Sequence, residues 1–202
     1  MKPSDDSRVA LLQVAIAGAF NSADLSDVKI HLGTLEFPAH SLVLTAQSRY
    51  FETAFKSKFE EGVTREFRYT DGSLHAHWRM LEYMYTRAYS DDPINCHLDD
   101  DELLKDVRVY ALADYFIVEG LKDYALQRFI SKIRQLWVSE KFVDCIRDIY
   151  DSTSDPNCRM RQAVVEIVRK NVAELWKKAP FQEVLREGGD FIVDIMGKLI
   201  IF

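Results

Sequence analysis

The feature that most restricts this chain is a change of hydrophobic period within residues 27–61, from alternation by two to helical spacing. Val28, Ile30 and Leu32 alternate with polar residues, Gly33 and Thr34 turn the chain, and Leu35 and Phe37 resume the alternation. This predicts two short, half-buried antiparallel strands. Pro38 ends the second strand. Leu42, Val43 and Leu44 then mark one short helix, and Tyr50, Phe51, Ala54 and Phe55 a second, with Ser48 between them as the cap.

The rest of the chain is mostly helical and carries no internal repeat. After a polar lead, Val9, Leu12, Ile16, Ala19 and Phe20 fall on one face of a helix, and that face needs a partner. Phe67 and Tyr69 alternate with Glu66, Arg68 and Thr70 in a third strand, closed by Asp71 and Gly72. Leu74, Trp78, Leu81 and Tyr85 mark an amphipathic helix. Positions 90–101, with Asp91, Asp92, Pro93 and the acidic triplet 99–101, read as a loop. Beyond it, Leu103, Val107, Tyr110 and Ala111, then Leu121, Ala125, Phe129 and Ile133, give two helices joined at Glu119 and Gly120. Further apolar sets follow: Phe142, Ile146 and Ile149, then Met160, Ala163, Val164, Ile167 and Val168, with a break at Asp155 and Pro156. Two short pieces at 181–185 and 191–199 complete the tail.

Several of these residues together carry a resemblance. Asp27, the Phe37-x-Ala39-His40 element, Val43 and Leu44, Ser48-x-Tyr50-Phe51, Phe55, and later Leu81-Glu82-Tyr83-x-Tyr85-Thr86 resemble the BTB/POZ domain family. The match is specific because it orders many residue types over about sixty positions rather than in one short motif. It implies an α+β chain, a small mainly antiparallel sheet flanked by a helical cluster, and the work of binding other proteins. By the same resemblance residues 1–22 form an N-terminal helix, 23–134 the BTB/POZ domain, and 135–202 a helical extension. That tail is similar in position to the BACK-like region that follows the domain in many fungal proteins.

Composition narrows the function classes independently. The chain has 202 residues, 48% of them hydrophobic, enough to bury a core as one large domain or two small ones. A net charge of −6 and no basic stripe argue against nucleic acid, whose binding is driven by clustered Lys and Arg. No apolar run approaches the roughly 20 residues that span a bilayer, and the N-terminus lacks a signal-peptide pattern. Three widely spaced cysteines, Cys96, Cys145 and Cys158, fit reduced thiols. The expected setting is intracellular, cytoplasmic or nuclear. The apolar finish at 199–202 suggests a segment that packs.

Catalysis is not expected. None of the eight glycines is separated from another by one residue, so there is no dinucleotide fingerprint or nucleophile elbow, and no phosphate-cradling Gly-Lys-Ser/Thr occurs. His75 and His77 stand two apart on a predicted helix, where ligand pairs need three or four, so with Cys96 and His97 they do not make a metal site. His40, at a strand-to-helix junction with no nucleophile motif nearby, is read as structural. No cofactor or small-molecule substrate is expected.

Two elements point to partners. In the BTB family a helix like the N-terminal one packs on its copy across a two-fold axis, which makes Val9, Leu12, Ile16 and Phe20 candidates for a dimer interface; the alternative is that the face folds back on its own chain. Phe59-Glu60-Glu61 resembles the hydrophobic-x-Glu element by which many BTB adaptors seat a cullin ubiquitin-ligase scaffold, the ring filling a pocket and the carboxylate satisfying donors. A solvated loop would read much the same. Repressor members of the family pair the first-strand aspartate with a base directly after the histidine. Here Ser41 stands in that place, which weakens a corepressor reading. Two readings follow: a noncatalytic, dimeric adaptor for a cullin-type ligase, or an oligomerising scaffold or regulator with no ligase role.

Overall fold

The computed structural model describes residues 5–70, 72–91 and 101–200. The chain is α+β, with three strands and eleven helices among the described residues. It divides into two compact units, one of Met1–Leu98 with Leu112–Leu121, the other of Asp99–Ala111 with Lys122–Phe202.

In the first unit, α1 (Asp5–Gly18) leads to β1 (Val28–Leu32) and β2 (Leu35–Ala39), which pair antiparallel with Ile30 opposite Phe37; Pro38 does not end β2, which runs on to Ala39 opposite Val28. Gly33, at φ 58°, makes the turn, and its amide donates to the Tyr69 carbonyl at 3.0 Å. Three short helices follow: α2 (Ser41–Gln47), α3 (Arg49–Lys56) and α4 (Glu60–Thr64). They form the crossover that lets β3 (Glu66–Tyr69) return parallel to β1, giving the strand order β2-β1-β3. The expected alternation fixes the buried face: Val28, Ile30, Leu32, Phe37, Ala39 and Phe67 are all buried. Leu44, Phe51 and α5 (Leu74–Thr86) complete that core.

The expected helix pair is α6 (Glu102–Tyr115) and α7 (Glu119–Leu136). Their junction is residues 116–118, not Glu119 and Gly120, both of which lie inside α7. Position 71 and most of the expected loop at 90–101 lie outside the described residues.

The second unit holds the tail: α8 (Phe142–Ser152), α9 (Arg159–Leu175), α10 (Ala179–Glu187) and α11 (Asp190–Ile200). Its core is built from the apolar sets read in the sequence, including Phe142, Ile146, Ile149, Met160, Val164, Val168, Phe181 and Phe191. Arg161 is buried with its charge matched. Its guanidinium lies 4.4 Å above the Tyr150 ring, donates to Asp190 at 3.0 Å, and donates to the Thr153 hydroxyl at 2.9 Å. Cys145 and Cys158 are free and buried, and burial pushes the Cys145 thiol well above its usual range. Among the described residues no helix is long and apolar enough to cross a membrane.

Candidate functional site

The residues from 27 to 61 divide into a scaffold and an exposed end. Phe37, Leu44, Ser48, Phe51, Tyr83 and Tyr85 are buried, and Phe55, Tyr50 and His40 are half-buried. His40 is tied at every polar atom it presents. Its amide donates to the Tyr85 hydroxyl at 2.9 Å, its Nδ1 stands 2.9 Å from that hydroxyl, and its Nε2 stands 2.9 Å from the Asp24 carbonyl. Burial, as the main cause, pushes the Tyr85 phenol up to about 12.

Asp27 finds its base elsewhere. The Ser41 amide donates to Oδ1 at 2.7 Å and the Ser41 hydroxyl to Oδ2 at 2.5 Å, while Arg65 brings its guanidinium to 3.9 Å. Arg65 ends α4 in the left-handed conformation, φ 60°, with its charge 4.8 Å above the Phe55 ring.

Ser48 does two jobs. Its hydroxyl accepts from the Phe51 amide at 3.2 Å, capping α3 as the sequence predicts, and donates to the Phe116 carbonyl at 2.6 Å. The second bond anchors the 116–118 junction. There Val118 donates to the Ala113 carbonyl at 2.8 Å and Ile117 to the Asp114 carbonyl at 3.2 Å, the two bonds of a Schellman end on α6. The residue held left-handed in such an end is usually glycine; here it is Ile117, at φ 55°. For an L-residue that conformation costs roughly 1–2 kcal/mol, and β-branching makes it rarer still.

Beyond α3 the chain turns back on itself. The Ser57 hydroxyl donates to the Ala54 carbonyl at 2.7 Å and accepts from the Phe59 amide at 3.3 Å. The Phe59 carbonyl then accepts from the amides of Gly62 and Val63 at 3.0 and 3.2 Å, starting α4. This turn fits against α3 only because residue 62 has no side chain. A Cβ there would stand 2.5 Å from the Ser57 carbonyl oxygen and 2.6 Å from that of Ala54. Phe59, the residue just before α4, is 77% exposed, and Glu61 is exposed in the first turn of that helix.

Phe59 and Glu61 flank a cavity of about 530 Å³, whose other lining residues are Arg49, Tyr50, Thr53, Ala54, Ser57, Phe67 and Ile117. Its wall is mainly apolar, with a cation and an anion at the rim. Burial, then the neighbouring Tyr115 phenol, raises the pKa of Tyr50. Burial, then Tyr50, does the same to Tyr69, so these phenols stay protonated. A mainly apolar wall with a few placed polar groups is the make-up of a binding pocket.

The other sequence candidates separate. Val9 and Leu12 are exposed on α1, 55% and 63%, Ile16 is half-buried, and Phe20 has left the helix. Its ring packs 5.3 Å from Phe37, 5.5 Å from Trp78 and 5.8 Å from Tyr85, inside its own unit. Phe20 therefore does not share the exposed face of Val9 and Leu12. His75 and His77 are buried on α5, His77 stacked on Tyr69 at 4.9 Å with Nδ1 3.0 Å from the Ser73 carbonyl. No group of three potential metal ligands occurs among the described residues, and Cys96 and His97 lie outside them. Sequence reasoning missed Gly62 and Ile117. An isolated glycine after Phe-x-Glu was a readable signal for the first; nothing in the sequence marks the second.

Residues 17–132 match the family model of the BTB/POZ domain, more than half of the 202-residue chain. Kelch-like protein 40 of Xenopus tropicalis is 34% identical over 76 residues, 38% of this chain and 12% of that protein. Kelch-like protein 5 of Homo sapiens is 26% identical over 137 residues, 61% of this chain and 18% of that one. The chain thus spans less than a fifth of the length of these curated relatives. Among solved structures, the BTB domain of zebrafish PATZ1 aligns with a TM-score of 0.49 at 19% identity, over 63% of this chain and 95% of that one. With its sequence signature and its match over residues 17–132, this chain belongs to the BTB/POZ domain family.

Proposed function

We propose that the protein is a noncatalytic interaction module that works as a dimer and seats a cullin-type ubiquitin-ligase scaffold through Phe59 and Glu61. The observation that carries this reading is a phenyl ring left 77% exposed beside a carboxylate, at the mouth of a cavity of about 530 Å³. An aromatic ring beside a preformed pocket is the kind of group that dominates binding energy at protein interfaces. Residues 23–134 supply the BTB/POZ domain in this reading. Residues 135–202 supply a BACK-like extension that presents the target, and 1–22 the dimer helix. No cofactor, metal, nucleic acid, membrane or small-molecule substrate takes part. The setting is intracellular, cytoplasmic or nuclear.

The test is binding of the intact chain to purified cullin scaffold. Phe59→Ala and Glu61→Lys should each weaken it by roughly thirtyfold, the equivalent of about 2 kcal/mol. Unchanged binding in both would end the ligase reading. A second reading, an oligomerising scaffold or regulator without a ligase, rests on α1 alone, where Val9, Leu11, Leu12 and Val14 are all exposed apart from the Phe59 site.

A further inference from the structure

We propose that Ile117 is a specificity-determining contact residue of the same face, kept for its side chain at a backbone position where glycine would fit with less strain. This inference rests on the adaptor reading and adds to it a second anchor, from the α6–α7 junction.

Three observations on one residue support it. Ile117 is the β-branched member of the non-glycine residues with positive φ among the described residues. Its conformation is over-determined by its surroundings: the two Schellman bonds fix it from one side, and the buried Ser48 hydroxyl holds the preceding Phe116 carbonyl from the other. The side chain so held is not spent on the core. It is 45% exposed, while Phe116 and Val118 on either side are buried. Core packing would account for an isoleucine turned inward, and helix termination alone would be met better by glycine or asparagine. What remains is the surface it builds: Ile117 lines the cavity together with Phe59 and Phe67. Strain held by surrounding structure at a binding surface is a recurrent mark of a functional position.

The partner group this surface fits is an apolar side chain, aromatic or branched, entering between Ile117 and Phe59. Arg49 and Glu61 at the rim orient the polar atoms around it. A polar residue at 117 would leave the entering group desolvated against a hydrophilic wall, so residue 117 selects among partners as well as holding them.

The experiment compares Ile117→Gly, Ile117→Asn, Ile117→Val and Phe59→Ala in the full chain, by thermal melting and by titration with purified cullin scaffold. Glycine and asparagine both relieve the left-handed backbone, and valine keeps the branched surface. The expected result is that the Gly and Asn variants melt within about 2 °C of the parent or above it. Their cullin affinity falls by about tenfold or more, while Ile117→Val stays within about threefold. Loss of binding by Phe59→Ala without any change in the Gly and Asn variants would overturn the role of Ile117 and leave the adaptor reading standing. Unchanged binding in all four would overturn both. A melting point lowered by many degrees in both the Gly and Asn variants would assign Ile117 to the core and overturn the inference.

Discussion

Ser41 holds both carboxylate oxygens of Asp27, its amide on Oδ1 at 2.7 Å and its hydroxyl on Oδ2 at 2.5 Å. Burial pushes the Asp27 carboxyl up, but these two bonds and the Arg65 charge outweigh it, and the pKa lies below its ordinary 3.8. A carboxyl lowered on folding adds stability above its unfolded pKa and loses it as pH falls through the folded value. Ser41→Ala is expected to lower stability by about 1 kcal/mol at neutral pH, a modest figure because the pair is partly exposed. The difference should shrink as pH drops below about 4. Urea melts of both proteins at two pH values check this; a pH-independent difference would show that the bonds do not act through the ionised carboxylate.

Ser48→Ala removes two bonds at once, the cap on α3 and the tie to the Phe116 carbonyl. Ser48 and Phe116 are both buried, so the carbonyl would lose its donor inside the core. The expected loss is about 2–3 kcal/mol, larger than for a cap alone. Chemical denaturation measures it, and a loss under about 0.5 kcal/mol would mean that the second bond contributes nothing.

Gly62→Ala forces a methyl against the carbonyls of Ser57 and Ala54. Those are backbone atoms and cannot rotate away, so α4 must move, at a cost of about 1–3 kcal/mol. Amide exchange of Val63, which donates to the Phe59 carbonyl at 3.2 Å, should speed up in the variant. Parent-like protection would place the strain somewhere other than α4.

His77 is held below its ordinary pKa of 6.5, chiefly by burial, with the Ser73 carbonyl opposing the shift. The unfolded chain therefore takes up the proton first, and stability should fall as pH drops below about 6.5, levelling off below the folded pKa. His77→Phe keeps an aromatic partner for Tyr69 and should flatten that part of the pH profile. An unchanged slope between about pH 7 and 5 would exclude His77 as its source.

The dimer reading is best tested away from Phe20, because deleting residues 1–22 would also remove a ring from the Phe37, Trp78 and Tyr85 cluster. The double substitution Val9→Asp with Leu12→Asp touches only exposed side chains. Light scattering should give twice the chain mass of 23.4 kDa for the parent and the single mass for the variant. A single mass for both would end the dimer prediction.

What the sequence by itself determined lies in patterns short enough to act locally. The hairpin at Gly33, the cap at Ser48, the inward face of α3 around the buried Phe51 and the α8–α11 series follow from period and turn chemistry, which need no knowledge of distant residues. Only the tertiary structure decided the rest. Phe20 leaves the face of Val9 because three rings from other elements offer it a better site than solvent. Arg65 supplies the charge for Asp27 because the α2–α4 crossover brings β3 beside β1, a pairing between residues far apart in the chain. The left-handed Ile117 is invisible to any propensity, since a β-branched residue argues against that conformation. The long-range bond from Ser48 to Phe116, with the two local bonds of the helix end, holds it in place.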